Sequence, residues 1–174
     1  ADAGQEAIKL GRTTSVAAQI ERYSSMVRRS EALTSEELTA LFTLVSRRPD
    51  ADLVFADAGR LAGRHAARQA PGFLRAVRKG LPRGLRERLG RRLIRHAAAR
   101  VFALDVGRDG EGAVALEGCG AHAVQGGRPC GVYGSGLAEL CRIFTTFDGA
   151  YFRNSCRARG SVNCRWSTTQ QQED

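Results

Sequence analysis

Cys130, Cys156 and Cys164 are the residues of this chain whose type and spacing best suit chemistry. Cys156 and Cys164 stand symmetrically about Gly160, flanking Arg157-Ala158-Arg159-Gly160-Ser161. Strands at 150–155 and 162–167 would therefore form a hairpin with the two sulfurs facing each other across its mouth. Directly opposed strand residues carry Cβ atoms roughly 4.5–5.5 Å apart, which suits a shared metal or a disulfide. Cys130 precedes an apolar helical stretch, and a helix N-terminus favours thiolate, the form that binds zinc. Three readings stay open for the trio: a structural zinc site, reduced cysteines packed in a core, and a Cys156–Cys164 disulfide.

The elements that must position these sulfurs change character along the chain. Val16, Ile20, Tyr23 and Val27 mark one apolar helical stripe, and Leu38, Leu41, Phe42 and Val45 mark a second, opened by the capping box Thr34-Ser35-Glu36-Glu37 and stopped by Pro49. Asp50 can cap a third helix running to Gln69, whose small residues Ala56, Gly59, Gly63 and Ala67 allow close packing. Pro71-Gly72 and Leu81-Pro82-Arg83-Gly84 separate a short 73–77 piece from a helix over 85–98. From Val101 the pattern turns to strands at 101–106 and 113–117 through the turn Arg108-Asp109-Gly110. A glycine-rich connection over 118–129 leads to a helix with Leu137, Leu140, Cys141 and Phe144 on one stripe, and then to the final hairpin. Helices, two strands, a helix and two strands predict an α+β fold, helices packed on one face of a four-stranded antiparallel sheet. The expected organisation is an N-terminal helical region at 1–49, a main domain at 50–167 and a polar tail at 168–174.

No stretch reaches the roughly 18 apolar residues of a membrane span, and residues 1–14 lack the apolar segment of a signal peptide. A soluble, cytoplasmic setting is expected, in which five cysteines are reduced thiols or metal ligands rather than a disulfide framework. The net charge of +9 is uneven: between Arg60 and Arg100 thirteen Lys/Arg face the single acid Glu87, a charge of +12 that leaves −3 for the rest. Such a block can serve phosphate backbones, anionic lipid or an anionic ligand, or be a solvated helix face, since Leu85, Leu89 and Leu93 alternate with Arg86, Arg88, Arg91, Arg92 and Arg95. Few aromatics interleave with these arginines, which argues against a stacking platform for single strands. His65 and His96 lie in helices beside arginines and read as surface or cavity-edge residues.

Pro129-Cys130-Gly131-Val132-Tyr133, the helix 136–144, Cys156-Arg157-Ala158-Arg159-Gly160 and Cys164-Arg165-Trp166 resemble the 4-vinyl-reductase domain family. That family includes a protein of bacteriochlorophyll biosynthesis and the sensor domains of phenol-responsive transcription activators. Leu93-Ile94-Arg95-His96-Ala97 is similar to the arginine-rich helix of the chlorophyll-pathway member, and the similarity spans about 50–167. It implies a ligand-binding domain, commonly a homodimer, with an apolar cavity between helices and sheet. Phe73, Val77, Leu89, Leu93, His96, Phe102, Tyr133 and Leu137 are the lining residues it implies, and ordinary core is the competing reading for each. The family's zinc-ligating glutamate falls at Arg153, which cannot ligate zinc. Cys119 and His122 are then the nearest candidates to complete a Cys₄ or Cys₃His site with Cys130, Cys156 and Cys164.

Dinucleotide, phosphate-loop and nucleophile-elbow motifs are absent from the sequence. The reading that follows is a small-molecule-binding module, a sensor, carrier or pathway accessory for a hydrophobic or tetrapyrrole-like ligand, with structural zinc. A tetrapyrrole vinyl reductase is the alternative and needs a reductant that no motif supplies. Nucleic-acid binding through residues 60–100 is a second alternative.

Overall fold

Thr34 and Glu37 close their capping box as the sequence predicts. The Thr34 hydroxyl accepts from the Glu37 N–H at 3.2 Å, and the Glu37 carboxylate accepts from the Thr34 N–H at 3.1 Å. Two otherwise orphaned donors are thereby satisfied at the start of α1 (Ser35–Ser46). In the computed structural model of the chain, the described residues are 18, 21–26, 28–29, 33–69, 82–107, 112–115, 124–145, 147 and 149–168. The chain divides into two compact units, Ala1–Leu38 and Thr39–Asp174. In the first, residues 21–26 are helical, Arg22 pairs with Glu37 at 2.5 Å, and Arg28 pairs with Glu21 at 2.9 Å.

In the second unit, α2 (Ala51–Gln69) starts where Asp50 was expected to cap it, but only the Asp50 carbonyl joins the helix. Its carboxylate is taken by Arg48 through two 2.8 Å bonds. The small residues of α2 face α4 (Gly131–Phe144). A methyl group on Gly59 would run into the Val132 carbonyl and the Ser135 hydroxyl, and one on Gly63 would lie 2.8 Å from the Gly136 carbonyl. The two backbones approach that closely only because no side chain stands between them.

Between them in sequence, α3 runs from Arg83 to Phe102. It is longer than the expected 85–98 and takes the first two residues of the expected 101–106 strand, because the run Ala97-Ala98-Ala99-Arg100 favours helix and no Gly or Pro halts it. Ala103 ends it in the left-handed region at φ 50°, with its N–H donating to the Ala98 carbonyl. An alanine held there costs about 1 kcal/mol.

The sheet comprises β1 (Leu104–Val106), β2 (Gly112–Ala115), β3 (Phe152–Ser155) and β4 (Arg165–Ser167), in the order β1-β2-β4-β3, every neighbour antiparallel. The fold is thus the expected α+β class. Period-two alternation turns Leu104, Val106, Ala113 and Trp166 inward and leaves Asp105 and Arg165 exposed. They join Leu93, Ile94, Leu137, Leu140 and Phe144 in one core, where each fully buried large aliphatic side chain contributes about 2 kcal/mol. Among the described residues no helix is long and apolar enough to cross a membrane.

Candidate metal centre and adjoining cleft

Two backbone devices bring the three sulfurs together. Before α4, the chain makes a 3-10 turn over Gln125–Cys130, in which Gly126 and Gly127 take φ of 79° and 61°, values that side chains disfavour. This delivers Cys130 to the N-cap position of α4. At the other end, the expected simple hairpin contains a 3-10 turn (Arg157–Arg159) closed by Gly160 at φ 94°. The Cys156 carbonyl anchors that turn by accepting from the Arg159 N–H at 2.9 Å and the Ser161 N–H at 3.2 Å. A register shift between Arg153 and Ser155 interrupts the pairing of β3 with β4 just before Cys156.

The result is a buried cluster in which the sulfurs of Cys130, Cys156 and Cys164 all lie within 4.8 Å of one another, each residue at most 1% exposed. Cys130 Sγ and Cys156 Sγ are 3.5 Å apart, and no disulfide joins any of the three, Cys156 and Cys164 included. Ligands about 2.3 Å from a tetrahedral zinc stand roughly 3.8 Å from each other, so the cluster is of a size to hold a metal ion. Backbone donors support charge on the sulfurs: Arg157 N–H donates to Cys164 Sγ at 3.4 Å, and the Ala158 N–H favours the Cys156 thiolate. Against this, burial first and the neighbouring Cys130 second push the Cys156 thiol up. Burial thus favours the Cys156 thiol, and a bound cation would favour its thiolate. The soft, all-sulfur donor set suits zinc.

Arg153 occupies a telling position. Its guanidinium donates to the Gly127 carbonyl at 2.5 Å. A methyl group placed on Gly127 would lie 2.7 Å from Cys156 Sγ and 3.1 Å from Arg153 Nη1. The cation and the sulfur thus both border the space beside Gly127, and the Arg153 charge favours the Cys156 thiolate. Cys141, the fourth described cysteine, is apart from the cluster. It lies on the buried stripe of α4 with its sulfur 3.4 Å from the Tyr151 hydroxyl, and burial raises its pKa.

Beside the sulfurs opens a cleft of about 860 Å³, walled by α2, α4, residues 149–153 and Arg159, with Cys130 and Trp166 on its floor. Five arginines and two acids line it. Asp52 is held by Arg128 at 2.9 and 3.2 Å, and that hydrogen-bonded guanidinium keeps its carboxyl below the usual carboxylate range. Glu139, only 4% exposed, accepts from Arg142 at 2.7 and 3.1 Å and from Arg64 at 2.8 Å; Arg142 first and Arg64 after it hold its carboxyl down.

The residues expected to line an apolar cavity fall elsewhere. Leu93, Phe102, Tyr133 and Leu137 belong to the packed core, and Leu89 is half-buried against it. His96 is exposed, beside an opening of about 20 Å³ that Leu93 also borders. None of these six lines the large cleft. The packing has a physical cause: the Phe102 ring lies directly on Gly136, and Gly134 admits Trp166 and the Tyr151 carbonyl. Phe73, Val77, Cys119 and His122 lie outside the described residues. The cleft's own residues were not apparent from periodicity. Glu139 carried the one available signal, an acid between the buried Leu137 and Leu140 with Arg142 three residues on.

Compared with family models, curated proteins and solved structures, the chain matches none.

Proposed function

We propose that the chain is a small-molecule-binding module, a sensor, carrier or pathway accessory, whose C-terminal edge is pinned by a structural zinc held by Cys130, Cys156 and Cys164. The observation that carries this reading is the buried three-sulfur cluster at the edge of an open cleft large enough for an aromatic ligand. Cys119 or His122 supplies the fourth ligand. The metal ties the start of α4 to the β3–β4 turn, and these two elements carry opposite walls of the cleft. The 4-vinyl-reductase resemblance of residues 129–166 supports a hydrophobic or tetrapyrrole-like ligand and a homodimer in the cytoplasm. A reductase would additionally need a hydride donor.

Native mass spectrometry of the purified chain tests this in one measurement. It should find about one zinc per chain, a dimer, and a complex with added porphyrin or phenol. A metal-free chain that binds neither compound would overturn the proposal. Consumption of NADPH with a vinyl-bearing tetrapyrrole would move it to the reductase.

A further inference from the structure

The cleft's charges do not balance, since five arginines line it against two acids. Asp52 and Glu139 are already committed to Arg128 and to Arg142 with Arg64. Arg60 pairs with Asp57 at 3.0 Å. Arg153 and Arg159 remain. Arg153 hydrogen-bonds the neutral carbonyl of Gly127 and meets the Asp52 carboxylate only through space, and among the described residues the Arg159 guanidinium makes no side-chain hydrogen bond or ion pair. Both border the large cleft, and both also border the adjoining polar pocket of about 250 Å³, where Asn154, Ser155 and Ser161 are their neighbours. Two guanidinium groups bordering the same space, neither bonded to a carboxylate, repel one another, and an oxyanion placed between them removes that repulsion. The planar fork of each guanidinium matches the paired oxygens of a carboxylate or phosphate.

The wall beside this end is aromatic. Phe152 is 41% exposed on β3, and Tyr151 and Trp166 border the same cleft. From this juxtaposition we propose that the cleft selects an amphipathic oxyanion: an aromatic body against Phe152 and Tyr151, with its carboxylate or phosphate held by Arg153 and Arg159. The inference rests on the ligand-binding reading above and names the chemical class of that ligand. It places the recognition charge at the metal-proximal end of the cleft, away from the larger arginine population of α3.

The test compares acids with their neutral esters on the zinc-loaded chain, using protoporphyrin IX against its dimethyl ester and 2-naphthoate against its methyl ester, followed by fluorescence. The acids should bind at least about tenfold tighter than the esters. Arg159→Gln, which breaks no side-chain hydrogen bond or ion pair among the described residues, should abolish most of that preference, and Arg153→Gln should do the same, whereas Arg91→Gln on α3 should leave it intact. Comparing 2-naphthyl phosphate with 2-naphthoate shows which oxyanion is preferred. Acid and ester binding equally would overturn the inference and leave the ligand-binding reading standing. A preference that Arg91→Gln weakens as much as Arg159→Gln would also overturn it, showing unspecific attraction by net charge. Binding of no member of either pair would overturn the inference and the ligand-binding reading together.

Discussion

The arginines of the cleft and those of α3 are alike in sequence and opposite in placement. On α3, Arg91, Arg92, Arg95 and Arg100 are exposed, and among the described residues they have no acidic partner. The leucines and alanines between them, Leu93, Ile94, Ala97 and Ala98, enter the core, so the charges point outward by helical periodicity alone. Around the cleft, Arg64, Arg128 and Arg153 each bond a carboxylate or carbonyl from another element, and Arg142 bonds Glu139 on its own helix. These four α3 arginines are thus solvent-exposed, whereas those around the cleft are tied by hydrogen bonds. Charge density along a chain says where cations are numerous; convergence on one space requires the fold.

The largest effect that would sharpen this contrast is at the sulfurs. Cys156→Ser or Cys164→Ser should remove the metal and lower stability by about 4 kcal/mol, a fall in Tm of roughly 10 °C seen by calorimetry. In the parent chain, metal content should fall as pH drops, because protons compete with the metal for the sulfurs and burial already pushes Cys156 toward the thiol. Unchanged Tm on cysteine substitution would break the comparison at its root.

Next is the contact on which the cleft wall stands. Gly59→Ala drives a methyl into the Val132 carbonyl and Ser135 hydroxyl of α4, so it should cost about 2–3 kcal/mol in chemical denaturation. Glu139→Gln should cost less, about 1–2 kcal/mol, because its two arginine partners are half in solvent and screened there. The sign with pH follows from the lowered pKa of Glu139. Its contribution is fully present above its ordinary value of 4.5 and is lost as pH falls through the folded value. The stability difference between parent and Glu139→Gln should therefore narrow in acid, read as converging urea midpoints.

The smallest effect belongs to the other region. Arg91→Gln with Arg95→Gln should change stability by less than about 0.5 kcal/mol, as for solvated positions generally. Duplex DNA binding should be weak and equally lost with salt in parent and variant, rather than specific to this face. A steep salt-dependent affinity that these two substitutions abolish would instead make α3 the functional surface and reverse the comparison.

Local rules made much of the architecture legible. The Thr34–Glu37 capping box, the glycines of α2 and the apolar stripe of α4 each depend on neighbours three or four residues apart, and each is where the sequence predicted it. The end of α3 was misplaced because a left-handed alanine at 103, rather than a Gly or Pro, turns the chain. The symmetry of Cys156 and Cys164 about Gly160 was readable, and so was the placement of Cys130 at a helix start, since both are short-range features. Tertiary structure alone decided the rest. Whether Phe102 and Tyr133 enclose a void or fill it depends on their packing, and the Phe102 ring against Gly136 closes the space in which a cavity was expected. The pairing of Arg128 with Asp52 and of Arg64 with Glu139 joins residues more than seventy positions apart, and no periodicity or composition specifies such a meeting. The cleft, the convergence of Arg153 and Arg159 on it and its closeness to the sulfurs are of that kind, because they arise from where separate elements come to rest.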